Sequence, residues 1–339
     1  RKYEEAFNKT VKRLKGFKEL SSDGTLRNLE VEKKIAAVPF KNLSETNFPG
    51  DSLLAPNFLD TVGGKRVSCA GCPVGCIHLL RTDKQFVPYD YESVVSLGPL
   101  LGITKPEEVA ELIRQAWNFG LDPTSLGAVL AHITEKEGLS FAELDTYSTI
   151  IDAFLSGKER WAKELRSGLP EGPQSLKLSG MEFLPYFNGY ASILSQALML
   201  GATTEDNRGY LLDLDLIGKD FEDAEVVSLL VDAERKKTLS ELLVGCGYLA
   251  PVFEDPAFAF SALEAIGSPV SHETLKSTAE EVFKKKLSLQ ANLGFSPAQV
   301  KFPDRFLEIP SPHGYLKKER LENMVNIYKD EIFETAGGS

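Results

Sequence analysis

The clearest structural signal of the chain lies at residues 104–120, which read TKPEEVAELIRQAWNFG. Thr104 is a suitable N-cap, Pro106 fits the first helical turn, and two glutamates follow at the positive end of the helix dipole. Apolar side chains then recur at helical spacing until Gly120, which suits a C-cap. We therefore predict a helix that ends at Gly120.

Helical patterns recur on both sides of this stretch, whereas strand-like alternation is sparse. Further helices are predicted at 1–17, 125–137, from about 140 onward, 192–199, 223–243, 273–293 and 317–333. Residues 167–189 contain three prolines and no helical period, so they are the best candidate for a domain boundary. We predict a mainly α fold of two helical domains, residues 1–172 and 173–339.

Composition and charge limit the classes of protein to which the chain belongs. Its 339 residues are 42% hydrophobic and 26% charged, which is typical of a globular protein with one or two sizeable cores. A net charge of -11 argues against a nucleic-acid binder, which needs a basic surface. No apolar run is long enough to span a bilayer, and the first residues are charged rather than signal-like. We predict a cytoplasmic protein without nucleic-acid or membrane partners.

All four cysteines of the chain belong to one pattern, Cys69-x-x-Cys72-x-x-x-Cys76 followed by the distant Cys246. A disulfide framework does not suit a cytosolic chain of this size. A zinc site usually has two CxxC pairs, whereas a cubane cluster often takes a cysteine triplet and one distant ligand. We predict a [4Fe-4S] cluster at the interface of the two domains, with a zinc site and four free cysteines as the alternatives.

The residues between the cysteines also fit a cluster loop. Gly71 and Gly75 allow the unusual backbone angles that such a loop needs, and Pro73 stiffens it. Its N–H groups would then point at the inorganic sulfurs. His78 lies two residues beyond Cys76 and is a candidate donor to a cluster sulfur, whereas the other three histidines are predicted to be packed or solvated.

The segment Cys69-Ala70-Gly71-Cys72-Pro73-Val74-Gly75-Cys76 resembles the CxGCPxGC cluster loop of the tungsten-containing aldehyde ferredoxin oxidoreductases. Further resemblances follow in the family's order, at Tyr91-Glu92-Ser93, Leu97-Gly98, Gly102-Ile103, Phe119-Gly120-Leu121-Asp122, Leu178-Ser179-Gly180-Met181-Glu182-Phe183, Arg208-Gly209-Tyr210 and Pro303-Asp304-Arg305-Phe306-Leu307. The resemblance covers nearly the whole chain as the family's two helical domains. The family's N-terminal β domain is expected to be absent.

Members of that family oxidise aldehydes to carboxylic acids and reduce ferredoxin, with tungsten held between two pterin dithiolenes beside an iron–sulfur cluster. The resemblance implies that Cys69, Cys72, Cys76 and Cys246 ligate the cluster, and that Gly120, Leu121 and Asp122 contact one pterin. It also implies a tungsten or molybdenum bis-pterin in the intact protein, a small carbonyl substrate, ferredoxin or a partner electron-transfer subunit, and possible homo-oligomers. The chain by itself is expected to be inactive.

Several positions depart from the family's motifs. Trp117 stands where the first pterin motif has aspartate, and Glu241 stands where the second has aspartate, so that Glu241 could accept pterin N–H groups. Glu92 matches the family's glutamate near tungsten, and Asp206 replaces a histidine proposed to lie near the metal. We take Glu92 and Asp206 as the catalytic candidates, because a carboxylate can act as a base. Arg114 replaces the histidine of the family's EXXH motif, so no metal is predicted there.

Two other functions remain open. Because Asp206 cannot reproduce an imidazolium proton donor, the chain could belong to a reductase complex with another substrate, such as an aromatic acyl thioester. Alternatively, the chain is a non-catalytic electron-transfer or structural module that binds no pterin.

Overall fold

The structure is a computed structural model that describes residues 2–12, 16–82, 85–157, 166, 168–198, 208–253 and 256–336. Helices dominate it and the strands are short, so the predicted mainly α class is confirmed. The helices of the first half are α1 (Lys2–Val11), α2 (Phe17–Asp23), α3 (Arg27–Lys34), α4 (Ala55–Val62), α5 (Tyr91–Leu97), α6 (Pro106–Phe119), α7 (Pro123–Lys136) and α8 (Leu144–Ser156).

The second half is also helical. Its helices are α9 (Tyr190–Leu198), α10 (Gly209–Leu216), α11 (Asp223–Leu242), α12 (Ala250–Phe253), α13 (Pro256–Ala265), α14 (His272–Asn292), α15 (Arg305–Glu308) and α16 (Lys318–Tyr328). Single 3₁₀ turns occur at Gly24–Leu26, Asp51–Leu53, Pro99–Leu101, Gly247–Leu249 and Pro297–Gln299, and a π-helical turn follows α16 at Lys329–Phe333. None of the described helices is both long and apolar enough to cross a membrane.

A small antiparallel sheet lies between α4 and α5. Its strands are β1 (Gly64–Val67), β2 (Ile77–Arg81) and β3 (Phe86–Tyr89), in that order across the sheet. Val67 pairs with Ile77, so residues 68–76 form the connection between β1 and β2. Two minor hairpins join β4 (Lys177–Leu178) to β5 (Met181–Glu182) and β6 (Pro310–Ser311) to β7 (Gly314–Tyr315).

The largest hydrophobic core surrounds α5, whose seven residues are all buried. This core contains side chains from both sides of residue 172, from Leu26 to Phe333. The division into domains at residue 172 stays a prediction. A second, smaller core includes Phe7, Leu20 and Leu249, with Cys72 and Cys76 packed against it.

The long amphipathic helices lie close to their predicted positions. Those predicted at 125–137, 223–243 and 273–293 correspond to α7, α11 and α14, with ends no more than two residues away. Two predictions were wrong in extent. The helix predicted at 1–17 ends at Val11, and the one predicted from about 140 begins at Leu144. In the second case Ala142 has a left-handed backbone and donates its N–H to the Leu101 carbonyl at 2.9 Å, which holds this segment in a turn.

The contact between α9 and α10 depends on Gly209. A Cβ atom on Gly209 would lie only 2.0 Å from the carbonyl oxygen of Ala191, which is far inside van der Waals contact. The close approach of the two helices therefore requires glycine at this position.

We expect Gly209→Ala to lower the free energy of unfolding by about 1–3 kcal/mol, because the added methyl group forces α10 away from α9. Gly172→Ala is the matched control, since a Cβ there meets nothing within 4 Å. It should change stability by less than about 0.5 kcal/mol. Chemical denaturation followed by circular dichroism measures both, and equal stability of the two variants would contradict the close contact.

Candidate iron–sulfur site

The β1–β2 connection carries the first three cysteines. The Cys72 N–H donates to the Cys69 carbonyl at 3.0 Å, which makes the first turn of the loop. Gly71 and Gly75 have φ angles of 74° and 70°, in the left-handed region that favours glycine. Because β1 and β2 hold both ends of the loop in register, its three cysteines lie on one short, constrained segment.

The fourth cysteine follows the end of α11. The Val244 N–H donates to the Glu241 carbonyl at 2.9 Å, and the Gly245 N–H donates to the Ser240 carbonyl at 2.8 Å. These two bonds form a Schellman motif, in which Val244 is the left-handed residue with φ 53°. Cys246 comes directly after this motif, at the N-cap of the next 3₁₀ turn.

All four cysteines line one cavity of about 300 Å³. Cys69 and Cys246 are exposed, whereas Cys72 and Cys76 are half-buried. Burial is the main cause that raises the pKa of Cys76 to about 11, and the nearby Cys246, Cys72 and Cys69 contribute to this rise in that order. The structure thus brings the distant Cys246 to the same cavity as the three loop cysteines.

The residues present fit an iron–sulfur cluster. Four soft thiol groups converge on a cavity whose other walls are largely apolar, including Phe7, Leu20, Val74 and Phe253. Within the described residues, no group of three or more His, Cys, Asp or Glu side chains is arranged to hold a single metal ion. A cubane binds each thiolate at a different iron, so its ligands lie further apart than the ligands of one ion.

His78 does not line this cavity. It lies on β2 with only 3% of its surface exposed, and its ring is 5.9 Å from that of Tyr89. Burial lowers its pKa, and the neighbouring Arg66 lowers it further. Its predicted role as a donor to a cluster sulfur therefore has no support in the geometry.

The predicted pterin contacts at 120–122 form a second helix end of the same type. The Leu121 N–H donates to the Ala116 carbonyl at 2.9 Å, and Gly120 is the left-handed residue with φ 67°. Asp122 then caps α7 by accepting the Ser125 N–H at 2.7 Å. Leu121 and Asp122 line a separate cavity of about 350 Å³.

The polar residues of this second cavity include Arg166 and Glu182. Glu182 accepts hydrogen bonds from the Ser125 hydroxyl and from the Leu169 N–H, both at 3.2 Å. The cavity thus has one cationic group, Arg166, and hydrogen-bond acceptors on Asp122 and Glu182. Such groups suit a polar ring such as a pterin. The residues present on the Asp122 side therefore fit that cofactor.

The other predicted pterin contact does not fit as well. Glu241 forms ion pairs with Lys286 at 2.8 Å and with Lys237 at 3.6 Å. Glu241 does not line the cysteine cavity, and it does not line the cavity that contains Asp122. Trp117, at the equivalent position of α6, donates its indole N–H to the Pro88 carbonyl at 3.0 Å. Both side chains are engaged by the protein itself.

Glu92 is the described catalytic candidate, since Asp206 lies outside the described residues. Glu92 is 6% exposed and follows the N-cap of α5, where Asp90 and Ser93 form a reciprocal capping box. The Tyr186 hydroxyl donates to Glu92 Oε1 at 2.9 Å. The carboxyl group is thus held inside the protein rather than on the surface.

Sequence reasoning missed the polar residues around Glu92. Asn28 and Glu32, one turn apart on α3, contact Tyr186 and Asn188 of the segment before α9. The available signal was weak. Glu32 lies in a run of charged residues that resembles an exposed helix face, and nothing in its spacing distinguishes it from its solvated neighbours.

Residues 2–141 match the family model described as aldehyde ferredoxin oxidoreductase, domains 2 & 3. The predicted resemblance to that family is confirmed. The tungsten-containing aldehyde ferredoxin oxidoreductase of Thermococcus kodakarensis is 26% identical, in a match that covers 77% of this chain and 48% of the relative. The chain is thus similar to an oxidoreductase of the aldehyde ferredoxin oxidoreductase family, and it spans about half the length of that curated relative.

A solved structure shares the fold. It is the active site complex BamBC of benzoyl coenzyme A reductase in complex with 1,5 dienoyl-CoA. The match has a TM-score of 0.60 and covers 92% of this chain and 59% of the matched chain of that complex. The sequence identity is 11%, so this likeness concerns the fold alone.

The left-handed backbone of Val244 generates a prediction. Its side chain is 92% exposed, so removing it costs almost no packing. A β-branched residue with positive φ is strained by about 1–2 kcal/mol, part of which the greater freedom of unfolded glycine offsets. We expect Val244→Gly to raise the free energy of unfolding by about 1 kcal/mol, measured by chemical denaturation.

Val244→Ala is the control for this experiment, because it removes the branch and keeps the Cβ atom that causes the strain. It should leave most of the strain in place. A Val244→Gly variant less stable than the parent would show that this residue does not adopt the left-handed conformation.

Proposed function

We propose that the chain binds one [4Fe-4S] cluster through Cys69, Cys72, Cys76 and Cys246. We further propose that it forms part of a cytoplasmic tungsten or molybdenum pterin oxidoreductase that oxidises aldehydes to carboxylic acids. The observation that carries the proposal is the single cavity of about 300 Å³ that all four cysteines line. The family match and the tungsten-containing relative support the wider function.

In the proposed reaction an aldehyde and water give a carboxylic acid, two electrons and two protons. When bound, the pterin-held metal supplies the two-electron chemistry, and the cluster supplies a path for single electrons. The four thiolates hold that path in place. Glu92 is the candidate acceptor for one of the protons, and the Tyr186 hydroxyl at 2.9 Å fixes the direction of its Oε1 atom.

The position of the cysteine cavity supports electron transfer to a separate protein. Cys69 and Cys246 are exposed, and the side chain of Val244, which lines the same cavity, is 92% exposed. A cluster in this cavity would therefore lie near the surface. We propose ferredoxin or an electron-transfer subunit as the acceptor.

A second candidate function rests on Asp206, which replaces the histidine found in the family's HLRGY segment. A carboxylate does not donate a proton near neutral pH as an imidazolium does. This difference favours a subunit of a reductase complex that acts on another carbonyl compound, such as an aromatic acyl thioester. Aldehyde-dependent reduction of a viologen dye by the intact protein would argue against this candidate.

A non-catalytic electron-transfer module is the remaining candidate, because Glu241 is bound by two lysines rather than turned to a cofactor cavity. Mass spectrometry of the released cofactor distinguishes this case. Pterin retained by the purified chain would favour the enzyme, whereas a chain with iron and no pterin would favour the module.

The cluster itself is tested by anaerobic purification with iron analysis and EPR. We expect about four irons per chain in the parent protein, and an EPR signal after reduction with dithionite. Cys246→Ser removes the distant ligand, so its iron content should fall to about three per chain or fewer. Ala70→Ser is the matched control, since it adds a hydroxyl group at an exposed, non-ligand position of the same cavity.

Iron content in Ala70→Ser should equal that of the parent. A folded, iron-free parent protein would refute the cluster, and so would a Cys246→Ser variant that keeps all its iron and its EPR signal.

The role of Glu92 is tested by Glu92→Gln, which keeps the size of the side chain and removes its basicity. We expect kcat for aldehyde oxidation to fall at least about 100-fold with unchanged iron content, because general base catalysis contributes this much or more. Glu107→Gln on the exposed first turn of α6 is the control and should keep full activity. Full activity of Glu92→Gln would exclude Glu92 as the proton acceptor.

A further inference from the structure

One buried face of α3 holds the segment that positions Tyr186. Asn28 Nδ2 donates to the Tyr186 hydroxyl at 3.2 Å. One turn later, Glu32 Oε1 accepts a hydrogen bond from Asn188 Nδ2 at 3.0 Å. Glu32 and Asn188 are both fully buried. Asn28 and Glu32 lie four residues apart on one face of α3. They therefore bind Tyr186 and Asn188, respectively, in the segment that leads into α9.

That segment is also fixed through its tyrosine. The ring of Tyr186 stacks on that of Tyr91 with centroids 4.7 Å apart, and the ring of Tyr210 lies 4.8 Å away on another side. The Tyr91 hydroxyl donates to the Pro185 carbonyl at 3.0 Å. From this position the Tyr186 hydroxyl reaches Glu92 Oε1 at 2.9 Å. The chain of contacts therefore runs from α3 through Tyr186 to Glu92.

The hydrogen bonding of Glu32 indicates a neutral acid. Within the described part of the chain, Glu32 Oε2 and Asn188 Oδ1 are both buried and have no hydrogen-bond partner. Both atoms are hydrogen-bond acceptors when Glu32 is ionised. Two buried acceptors without a donor destabilise the folded state in an interior that excludes water. A proton on Glu32 supplies the missing donor. Burial raises the pKa of Glu32 to about 8, which agrees with this arrangement.

The polar neighbours of Glu32 act on its pKa in both directions, so the neutral form depends on burial. Asp213 is close enough to raise the pKa of Glu32, while the Asn188 and Tyr210 side chains lower it. Tyr91 also lies near Glu32.

Asp213 is the better placed of the two acids to carry charge. It accepts the backbone N–H groups of Ala191 at 3.0 Å and Ser192 at 2.8 Å, at the start of α9. His313 Nε2 lies 3.9 Å from one of its oxygens. Burial raises the pKa of Asp213, but these donors oppose that effect.

We propose that Glu32 is a positioning residue for Glu92: as a neutral acid it holds Asn188 and thereby keeps the Tyr186 hydroxyl on Glu92, and its ionisation loosens this contact. Two charged carboxyl groups in one buried cluster repel each other, so a proton lost from Glu32 leaves Glu32 and Asp213 in conflict. The proposal rests on the role proposed above for Glu92.

The sign of the pH dependence follows from the raised pKa of Glu32. Below about pH 4.5 both the folded and the unfolded chain keep this proton, so Glu32 does not penalise folding. Between about pH 4.5 and about pH 8 the unfolded chain has released this proton while the folded chain still holds it, so stability falls across this range and the loss is complete once the pH has risen through about 8. At pH 9 the ionised form exceeds the neutral form about tenfold.

The test follows the tyrosine cluster by near-ultraviolet circular dichroism of the full chain from about pH 6 to about pH 9, below the titration of ordinary tyrosines. In the parent protein we expect a reversible loss of the tyrosine signal with its midpoint near pH 8. Glu32→Gln keeps the shape of the neutral acid and an N–H donor for Asn188 Oδ1, so its signal should stay constant. Glu30→Gln on the exposed face of the same helix is the matched control and should titrate like the parent.

A transition that persists unchanged in Glu32→Gln, or a parent signal that does not change with pH, would overturn the proposal. An activity profile separates this outcome from failure of the proposed function. In a pterin-loaded protein, acetaldehyde-dependent kcat should fall about 15-fold between pH 8 and pH 9.5 in the parent and much less in Glu32→Gln. If Glu92→Gln is fully active, the role of Glu92 fails, while the dichroism titration still decides whether Glu32 holds Tyr186.

Discussion

The burial of α5 on every side is the constraint around which the rest of the described structure is arranged. Seven consecutive residues lie in the core, including Glu92, Ser93 and Ser96. A helix without a solvated face must satisfy its end groups internally. Asp90 and Ser93 do so through their capping box, and the Thr25 hydroxyl accepts the Tyr91 N–H at 3.0 Å. Neighbouring α7 approaches so closely that a Cβ on Gly127 would lie 2.3 Å from the Ser96 carbonyl.

This helix also connects the cysteine loop to Glu92, the two parts of the proposed functional site. Strand β3 ends at Tyr89 and α5 begins at Tyr91, so the sheet that holds the cysteine loop runs directly into the helix that holds Glu92. Tyr89 pairs with His78 across the sheet, two residues from Cys76. A shift of α5 would therefore move the cysteine loop and Glu92 together. Their relative position is set by short, hydrogen-bonded structure rather than by a loop.

The parts of the fold that could be predicted from sequence are those with a regular, one-sided pattern. In helix α6 the apolar stripe, the first-turn proline and the terminal glycine were read correctly, but the N-cap is Lys105 rather than the predicted Thr104. Helix α5 is only seven residues long, and its polar residues Glu92, Ser93 and Ser96 are buried, so its sequence pattern does not identify a solvated face. The strands β1 to β3 have four or five residues each, too few for alternation to be distinguished from loop.

The candidate site divides in the same way. The cysteine set was predictable because thiolates in that spacing have few other uses, and the cavity brings all four together. The environments of Glu32 and Glu241 were not predictable, since a carboxylate in a charged helix gives no sign of its partner. The fold buries Glu32 against Asn188 and leaves Glu241 half-exposed between Lys237 and Lys286. Only tertiary packing decides between these environments.

The two helix ends that carry the cofactor motifs show how a motif can change in sequence and keep its geometry. Both α6 and α11 end in a Schellman motif, with Gly120 and Val244 as the left-handed residues. The motif requires backbone shape rather than a particular side chain, and glycine meets that requirement without strain. Valine meets it at a cost in stability, but Cys246 still emerges at the cysteine cavity. The backbone turn, rather than the side chain at residue 244, is therefore the property that places Cys246 for the proposed cluster.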